Sequence, residues 1–514
     1  MRTQPRANAP RRVTARSEVR PPKLDALLAV AQIPATMDHT SYDVVIAGGG
    51  LAGVSVAAAL REFGYRILLI EPGLDNTKRL AGELIHPPGT QDLDELGLLP
   101  ALEEAGGQEV LGFAVFPENL ERFVLGYEEI PGIKNRGFAM EHATMTKALL
   151  AAAEKIDNVT VWMGARVSAV DLSNPDFASI TVLHGKREVP IRAQLLVAAD
   201  GRTSTVRKLA GINDNRQRLS HMVGFVLEGA RLPQPGYGHI FVGGPAPALA
   251  YQIADNETRV MFDIPDNPHG VKALEKDPAY LNTLPEPFRS DVRHAMENQT
   301  ALVSANFSVT PDSVIKGRLV CAGDAGGCCH PLTATGISVT TRDAIRLRQV
   351  LRETRGDIPT ALRRYASLRE GPQRTRVALA EALYEAFTAH TPEMHLLRMG
   401  LLKYWERSSR GRAASMALLS THEGRMSAMA RQYARVVGYA IPELLSWGKE
   451  HPETLGSRRM AVQGLLKSTA VYAKEAARGY LDGFYLPRSP REARQQLRLS
   501  FNTLRGRGAE RLSA

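Results

Sequence analysis

Three cysteines in 514 residues are too few to staple a chain of this length, which excludes a disulfide scaffold and points to a reducing compartment. They have no C-x-x-C or histidine spacing, so no metal centre is expected. No apolar run reaches the ~18 residues that a bilayer span needs. The N-terminal stretch carries arginines but no continuous apolar core or clear cleavage site, so a secretory signal is not expected. The expected location is the cytoplasm, with peripheral attachment to a membrane left open. Internal repeats and low-complexity tracts are also missing, which excludes a solenoid.

What is present describes a globular enzyme. Hydrophobic residues make up 44% and charged residues 23%, enough to bury a sizeable core in two or three domains. The net charge of +10 gathers partly at the ends. Arg2, Arg6, Arg11, Arg12, Arg16 and Arg20 face only Glu18, and a similar arginine series runs from Arg488 to Arg511. Such ends are either solvated arms or a means of meeting an anionic membrane surface. No zinc finger or RNP-type strand accompanies them, so no nucleic-acid partner is expected.

Pattern changes divide the chain. Residues 1–40 read as a basic arm with a short helix at Leu24–Ile33, and 486–514 as a basic tail. Tyr42–Ala47 is a buried parallel strand, Val54–Phe63 a helix and Arg66–Ile70 a second strand: a βαβ unit in about thirty residues. Val223–Leu227, His239–Val242, Leu249–Ile253 and Thr258–Ile264 are short strands separated by turn residues. Arg318–Ala322 is again a buried strand, Gly336–Leu351 a helix, and most of 361–478 is helical.

Three segments carry chemistry. Gly48-Gly-Gly50-Leu51-Ala52-Gly53 follows the first strand and opens the helix, the context in which G-x-G-x-x-G cradles a dinucleotide pyrophosphate at a helix N-terminus. Glu71, followed by Pro72, closes the second strand, where a carboxylate meets ribose hydroxyls. Asp200-Gly201-Arg-Thr-Ser204-Thr-Val-Arg207 is a strand running into an Asp-Gly turn and a helix. Gly323-Asp324-Ala325 ends a further strand and leads through His330-Pro331 to Gly336-Ile337. Asp324 suits flavin ribityl hydroxyls, and the following N–H groups suit the pyrimidine end, which becomes negative on reduction. Together the three segments specify FAD.

With these motifs the chain resembles the flavoprotein hydroxylases and epoxidases, and within them the squalene epoxidase family, over roughly residues 41–445. Gly82-Glu83-Leu84-Ile85, Tyr251-Gln-Ile253, Glu257-Thr-Arg-Val260, Asp263-Ile264 and His330-Pro-Leu-Thr333 carry the likeness. His86 stands where that family has Gln, Ala334-Thr335 where it has two of three glycines, and His142 where an arginine opens a helix. The resemblance implies a glutathione-reductase-like α/β FAD-binding fold in three pieces: 41–110, 140–210 and 305–360. It also implies an antiparallel β-sheet substrate domain (111–139 and 211–304) and a helical C-terminal region (361–485). It adds Glu83 and His142 to the cofactor residues. The expected activity is insertion of one oxygen atom from O2 into a hydrophobic isoprenoid or prenylated aromatic. Electrons come from NAD(P)H directly or through a reductase.

Candidate catalytic residues are His86, His330 and Tyr251. Each also fits a packing or positioning role. Epoxidation needs no base, whereas hydroxylation of a phenol does. Two other readings stay open: an isoprenoid reductase that inserts no oxygen, and a prenyl-lipid carrier similar to Rab GDP-dissociation inhibitors. A flavin halogenase is not expected, because Trp162, Trp405 and Trp447 form no Trp-x-Trp segment. Cys328 and Cys329 are expected to stay unbonded, since adjacent cysteines would close a strained ring.

Overall fold

Strands whose side chains are apolar on both faces belong at the centre of a covered parallel sheet, and Ile67–Glu71, buried along its whole length, is such a strand. In the computed structural model it pairs in parallel with Thr40–Ala47 on one side and Val159–Met163 on the other. The structure describes residues 40–483 except 74–79, 119–120, 134–135, 266–271, 273, 275, 390 and 451–454. These belong to one unit that begins at Asp38. The helix expected at Leu24–Ile33 and both basic ends lie outside the described residues.

Among the described residues this first sheet has eight strands. Its main path runs Ile315–Lys316, Leu319–Cys321, Arg187–Ala198, Thr40–Ala47, Ile67–Glu71, Val159–Met163. Ala178–His184 and Ala165–Asp171 extend it as antiparallel strands. Helices Leu51–Leu60 and Gly336–Glu353 pack together, and Val44, Ile46, Leu69 and Val197 meet Val54, Leu60, Leu347 and Leu351 in one core.

A seven-stranded sheet stands beside it, ordered Leu302–Pro311, Asp214–Glu228, Glu257–Pro265, Ala248–Ala254, Gly238–Val242, Gly112–Pro117, Phe123–Gly126. Each neighbouring pair is antiparallel except Gly238–Val242 with Gly112–Pro117. Alternation gives it two apolar faces. Val223, Phe225, Phe241 and Phe262 pack on Phe288 and Val292 of helix Phe288–Asn298. Met222, Ile240, Tyr251 and Met261 pack toward Leu397, Leu401, Trp405 and Met416. These last residues come from the helices Pro392–Arg407 and Ser409–Leu419, which follow the long helix Ile358–Thr388 and precede Met426–Glu450 and Leu455–Gly483.

Leu302–Pro311 pairs with Asp214–Glu228 along ten positions. The second sheet therefore continues past residue 304 to Pro311. Leu84–Ile85, Gly137–Ala139 and Gln108–Val110 make a small third sheet that touches strand Ala248–Ala254 of the second sheet and helix Gly336–Glu353.

Candidate functional site

The three glycine-containing segments leave the same edge of the first sheet. The register sets Ala47 beside Ala198 and Ala198 beside Cys321, with Ile70 on the other flank of Ala47. Gly48, Asp200 and Asp324 follow within three residues of that row. Parallel strands present their carboxyl ends together, which is where ligands of such sheets bind.

The turns are shaped by the chain itself. Gly48 holds φ at +108°, and a Cβ there would lie 2.5 Å from the Ala199 carbonyl oxygen. Gly53 is equally confined, its ideal Cβ falling 1.8 Å from Gly48 O. Gly50 is different: a Cβ would meet nothing within 4 Å, and the same holds at Gly336. No protein packing demands glycine at these two positions. They border open space at the N-termini of helices Leu51–Leu60 and Gly336–Glu353, neither of which has a side-chain cap. That is the cradle a pyrophosphate at one end and a flavin ring at the other would fill, so the residues present fit FAD.

The Glu71 oxygens accept the N–H groups of Gly49 (2.7 Å) and Gly73 (2.9 Å), so this carboxylate sets the loop and keeps lone pairs for a ribose. Asp324 is half-buried; desolvation raises its pKa, opposed by Arg376, Arg202, Arg369 and His142. Ala325 follows Asp324 in the turn Gly323–Gly326.

Asp200 is differently employed. Its Oδ1 accepts from Ser204 Oγ (2.5 Å) and its Oδ2 from Val206 N (3.0 Å), so it fixes the helix start after Gly201. Ser204 caps that helix by accepting from Arg207 N (3.0 Å). Glu83 likewise meets protein donors: Arg259 Nη2 (2.7 Å), Arg259 Nε (3.0 Å) and Tyr251 Oη (3.2 Å). Both carboxylates brace the site from within the protein. His142 opens its helix with Nδ1 donating to Gly82 O (2.8 Å). Gly82 in turn packs against Ile337, which gathers His142, Gly82 and the Gly336 turn.

The two candidate histidines are locked. His86 Nε2 donates to Thr333 O (2.9 Å), so its Nδ1 accepts from Tyr127 Oη (2.7 Å); burial pushes its pKa down to about 4. His330 Nδ1 accepts from Leu332 N (3.2 Å), which leaves the proton on Nε2. That nitrogen is 2.9 Å from Ser220 Oγ, which it hydrogen-bonds, and 3.1 Å from Asp263 Oδ2. Burial takes His330 to about 4. Ser220, turned inward at a β-bulge, donates to Asp263 Oδ1 (2.5 Å), and Asn306 donates to both. Asp263 Oδ2 lacks a hydrogen bond, and burial raises Asp263 to about 7. Tyr251 is pushed well above its usual range by burial and the nearby Glu83 charge. Sequence reasoning gave no role to Asp263, Ser220, Asn306 or Tyr127, since no local spacing links them to His330 or His86. Cys321, Cys328 and Cys329 are free.

The family model for squalene epoxidase matches residues 192–453. A squalene monooxygenase of Mus musculus is 29% identical over 428 residues, 80% of this chain and 74% of that protein. Squalene epoxidase 3 of Arabidopsis thaliana is 27% identical over 420 residues, 79% of each. Among solved structures, p-nitrophenol 4-monooxygenase PnpA of Pseudomonas putida aligns with a TM-score of 0.64 at 19% identity, over 76% of this chain and all of that one. The flavin-dependent brominase Bmp2 aligns at 0.62 and 17%, over 78% and 99%. Together with the shared sheet edge and its open glycine cradle, these relatives define an FAD-dependent monooxygenase. The chain belongs to the squalene epoxidase family.

Proposed function

We propose that the protein epoxidises a double bond in a long apolar isoprenoid, squalene itself or a prenylated compound, drawing electrons from NADPH through a separate reductase. The observation that carries this is the setting of the turn after Asp324. Leu332 and Ala334 pack into an apolar cluster shared by the second sheet and the C-terminal helices, with Phe113, Met222, Met261, Leu401 and Trp405. Such a wall accepts a hydrocarbon and excludes water.

Gly48, Gly50, Leu51, Ala52 and Gly53 would hold the pyrophosphate, and Glu71, followed by Pro72, the ribose. Asp324, Ala325, Gly336 and Ile337 would border the flavin, with His142 beside them. Bound FAD supplies the two-electron activation of O2 that leaves one oxygen atom electrophilic enough to add to an alkene. The chain's part is to orient and to keep dry. His86, His330 and Tyr251 have their polar atoms committed to protein partners. None is therefore free to act as the base that phenol hydroxylation requires, which favours alkene chemistry.

Ile441, Leu466 and Val471 are exposed on the last two helices, which supports peripheral membrane attachment; among the described residues no helix is long and apolar enough to cross one. The test is incubation of the FAD-loaded protein with NADPH, a flavin reductase, O2 and a panel of squalene, polyprenyl and prenylated aromatic compounds. A product heavier by one oxygen and opened by acid to a diol is expected. Consumption of NADPH with a product gaining two hydrogens and no oxygen would establish a reductase instead.

A further inference from the structure

The turn at residues 323–327 has every carbonyl engaged. Arg369 Nη2 donates to Gly323 O (3.2 Å) and its Nη1 to Gly326 O (2.5 Å). Arg207 Nη1 donates to Ala325 O (2.7 Å), and Arg376 Nη2 to Gly327 O (3.2 Å). Asp324 O accepts Gly327 N (3.1 Å) within the turn. The three arginines are buried, at 3%, 0% and 5% exposure for Arg369, Arg207 and Arg376. They reach the turn from separate elements: Arg207 from the helix behind Asp200, the other two from the long helix Ile358–Thr388. Asp343 completes the arrangement, its Oδ2 accepting from Gly323 N (3.1 Å) and Arg369 Nε (2.9 Å).

A planar trans peptide points each N–H opposite to the preceding carbonyl. The Gly323 and Ala325 carbonyls, drawn toward Arg369 and Arg207, therefore turn the N–H groups of Asp324 and Gly326 to the other side. N–H groups turned to one side of a turn form an anion-binding concavity; behind it Arg369 and Arg207 are paired with Asp343 and Asp214, and Arg376 adds a buried positive charge, little screened by water. We propose that Arg369, Arg207 and Arg376 are positioning residues that preshape the 323–327 turn for the flavin. Through that turn they set both FAD affinity and reduction potential without touching the cofactor. This rests on the flavin reading above and assigns its tuning to residues outside the cofactor cradle.

The test compares wild type with Arg376→Gln, which removes one charge, and Arg369→Lys, which keeps the charge opposite Asp343 but cannot span Gly323 O and Gly326 O. Arg352→Gln, in an exposed pair with Glu62, is the control. FAD is titrated into apoprotein by fluorescence quenching, the flavin midpoint potential is measured by dye-coupled photoreduction, and each apoprotein is melted. Both clamp variants are expected to bind FAD at least about tenfold more weakly. Arg376→Gln is also expected to lower the potential by about 30 mV, equivalent to a tenfold loss of preference for the reduced form. Arg376→Lys should recover part of both effects. Wild-type protein that binds no FAD removes the flavin reading and the clamp together. Wild type that binds FAD, with both variants unchanged in affinity and potential, removes the clamp alone. So does a loss of binding wholly matched by melting of the apoprotein, with an unshifted potential in what remains bound.

Discussion

Gly48 and Gly50 are two residues apart and glycine for different reasons. Gly48 answers to the protein, through its positive φ and the carbonyl beneath it; Gly50 answers only to the space in front of it. Gly48→Ala is therefore expected to destabilise the apoprotein, whereas Gly50→Ala should melt like wild type yet bind FAD at least about tenfold more weakly. Thermal melts and FAD titration of both variants separate the two roles. Ala334 is the reverse case. It holds φ at +51° in the left-handed region, where an L-residue carries roughly 1 kcal/mol of strain. Ala334→Gly should raise unfolding stability by about that amount, read from urea denaturation. Asp263 and His330 give a pH signature. Asp263, held up at about 7, contributes stability that is complete below its unfolded value near 3.8 and is lost as pH rises toward 7. His330, held down at about 4, contributes stability that is complete above 6.5 and is lost as pH falls toward 4. The two slopes oppose each other across the same window. Asp263→Asn should steepen acid destabilisation between pH 6.5 and 4, and His330→Gln should soften it, in melts recorded across that range.

At the scale of elements, the second sheet is tied to the small third sheet through a buried ion pair. Glu83, next to the small third sheet, receives two donors from Arg259 and one from Tyr251 on the second sheet. Deleting one member of such a pair leaves an uncompensated buried charge, and Glu83→Gln is expected to destabilise by about 3–5 kcal/mol. Equilibrium denaturation of this variant beside Arg352→Gln, which breaks only a surface pair, measures the difference. Local elements were well read from sequence. The βαβ unit and its glycine turn are contiguous, and alternation with turn residues marked the strands around 223–264. The partners of those elements were less legible. Leu302–Pro311 joins the second sheet because it pairs with a strand far earlier in the chain, from Gly224 opposite Leu302 to Asp214 opposite Pro311, and nothing within the segment itself announces that. Glu83 and Asp200 stand where a cofactor carboxylate would be sought, yet their neighbours in space, Arg259 and the Ser204 helix start, take them up.

For the whole molecule, the sequence marked the three segments that meet at one sheet edge but not what holds the 323–327 turn in shape. Asp343, Arg369, Arg376 and Arg207 converge on residues 323–327 from three helices; Arg207 lies in a segment the sequence singled out, but each of the others alone reads as an ordinary charge on a helix. The same applies to the apolar wall, assembled from the second sheet, the turn at Leu332 and the C-terminal helices. A protein built this way joins a polar nucleotide cradle to a dry hydrocarbon face, which is the combination alkene oxygenation requires. The most direct test of that account is turnover under 18O2 with an isoprenoid substrate, followed by mass spectrometry of the product. One 18O atom per product molecule, with none acquired from H2 18O in the converse experiment, is the result the account predicts. Flavin reoxidation that proceeds with substrate present but leaves no 18O in any product would contradict it.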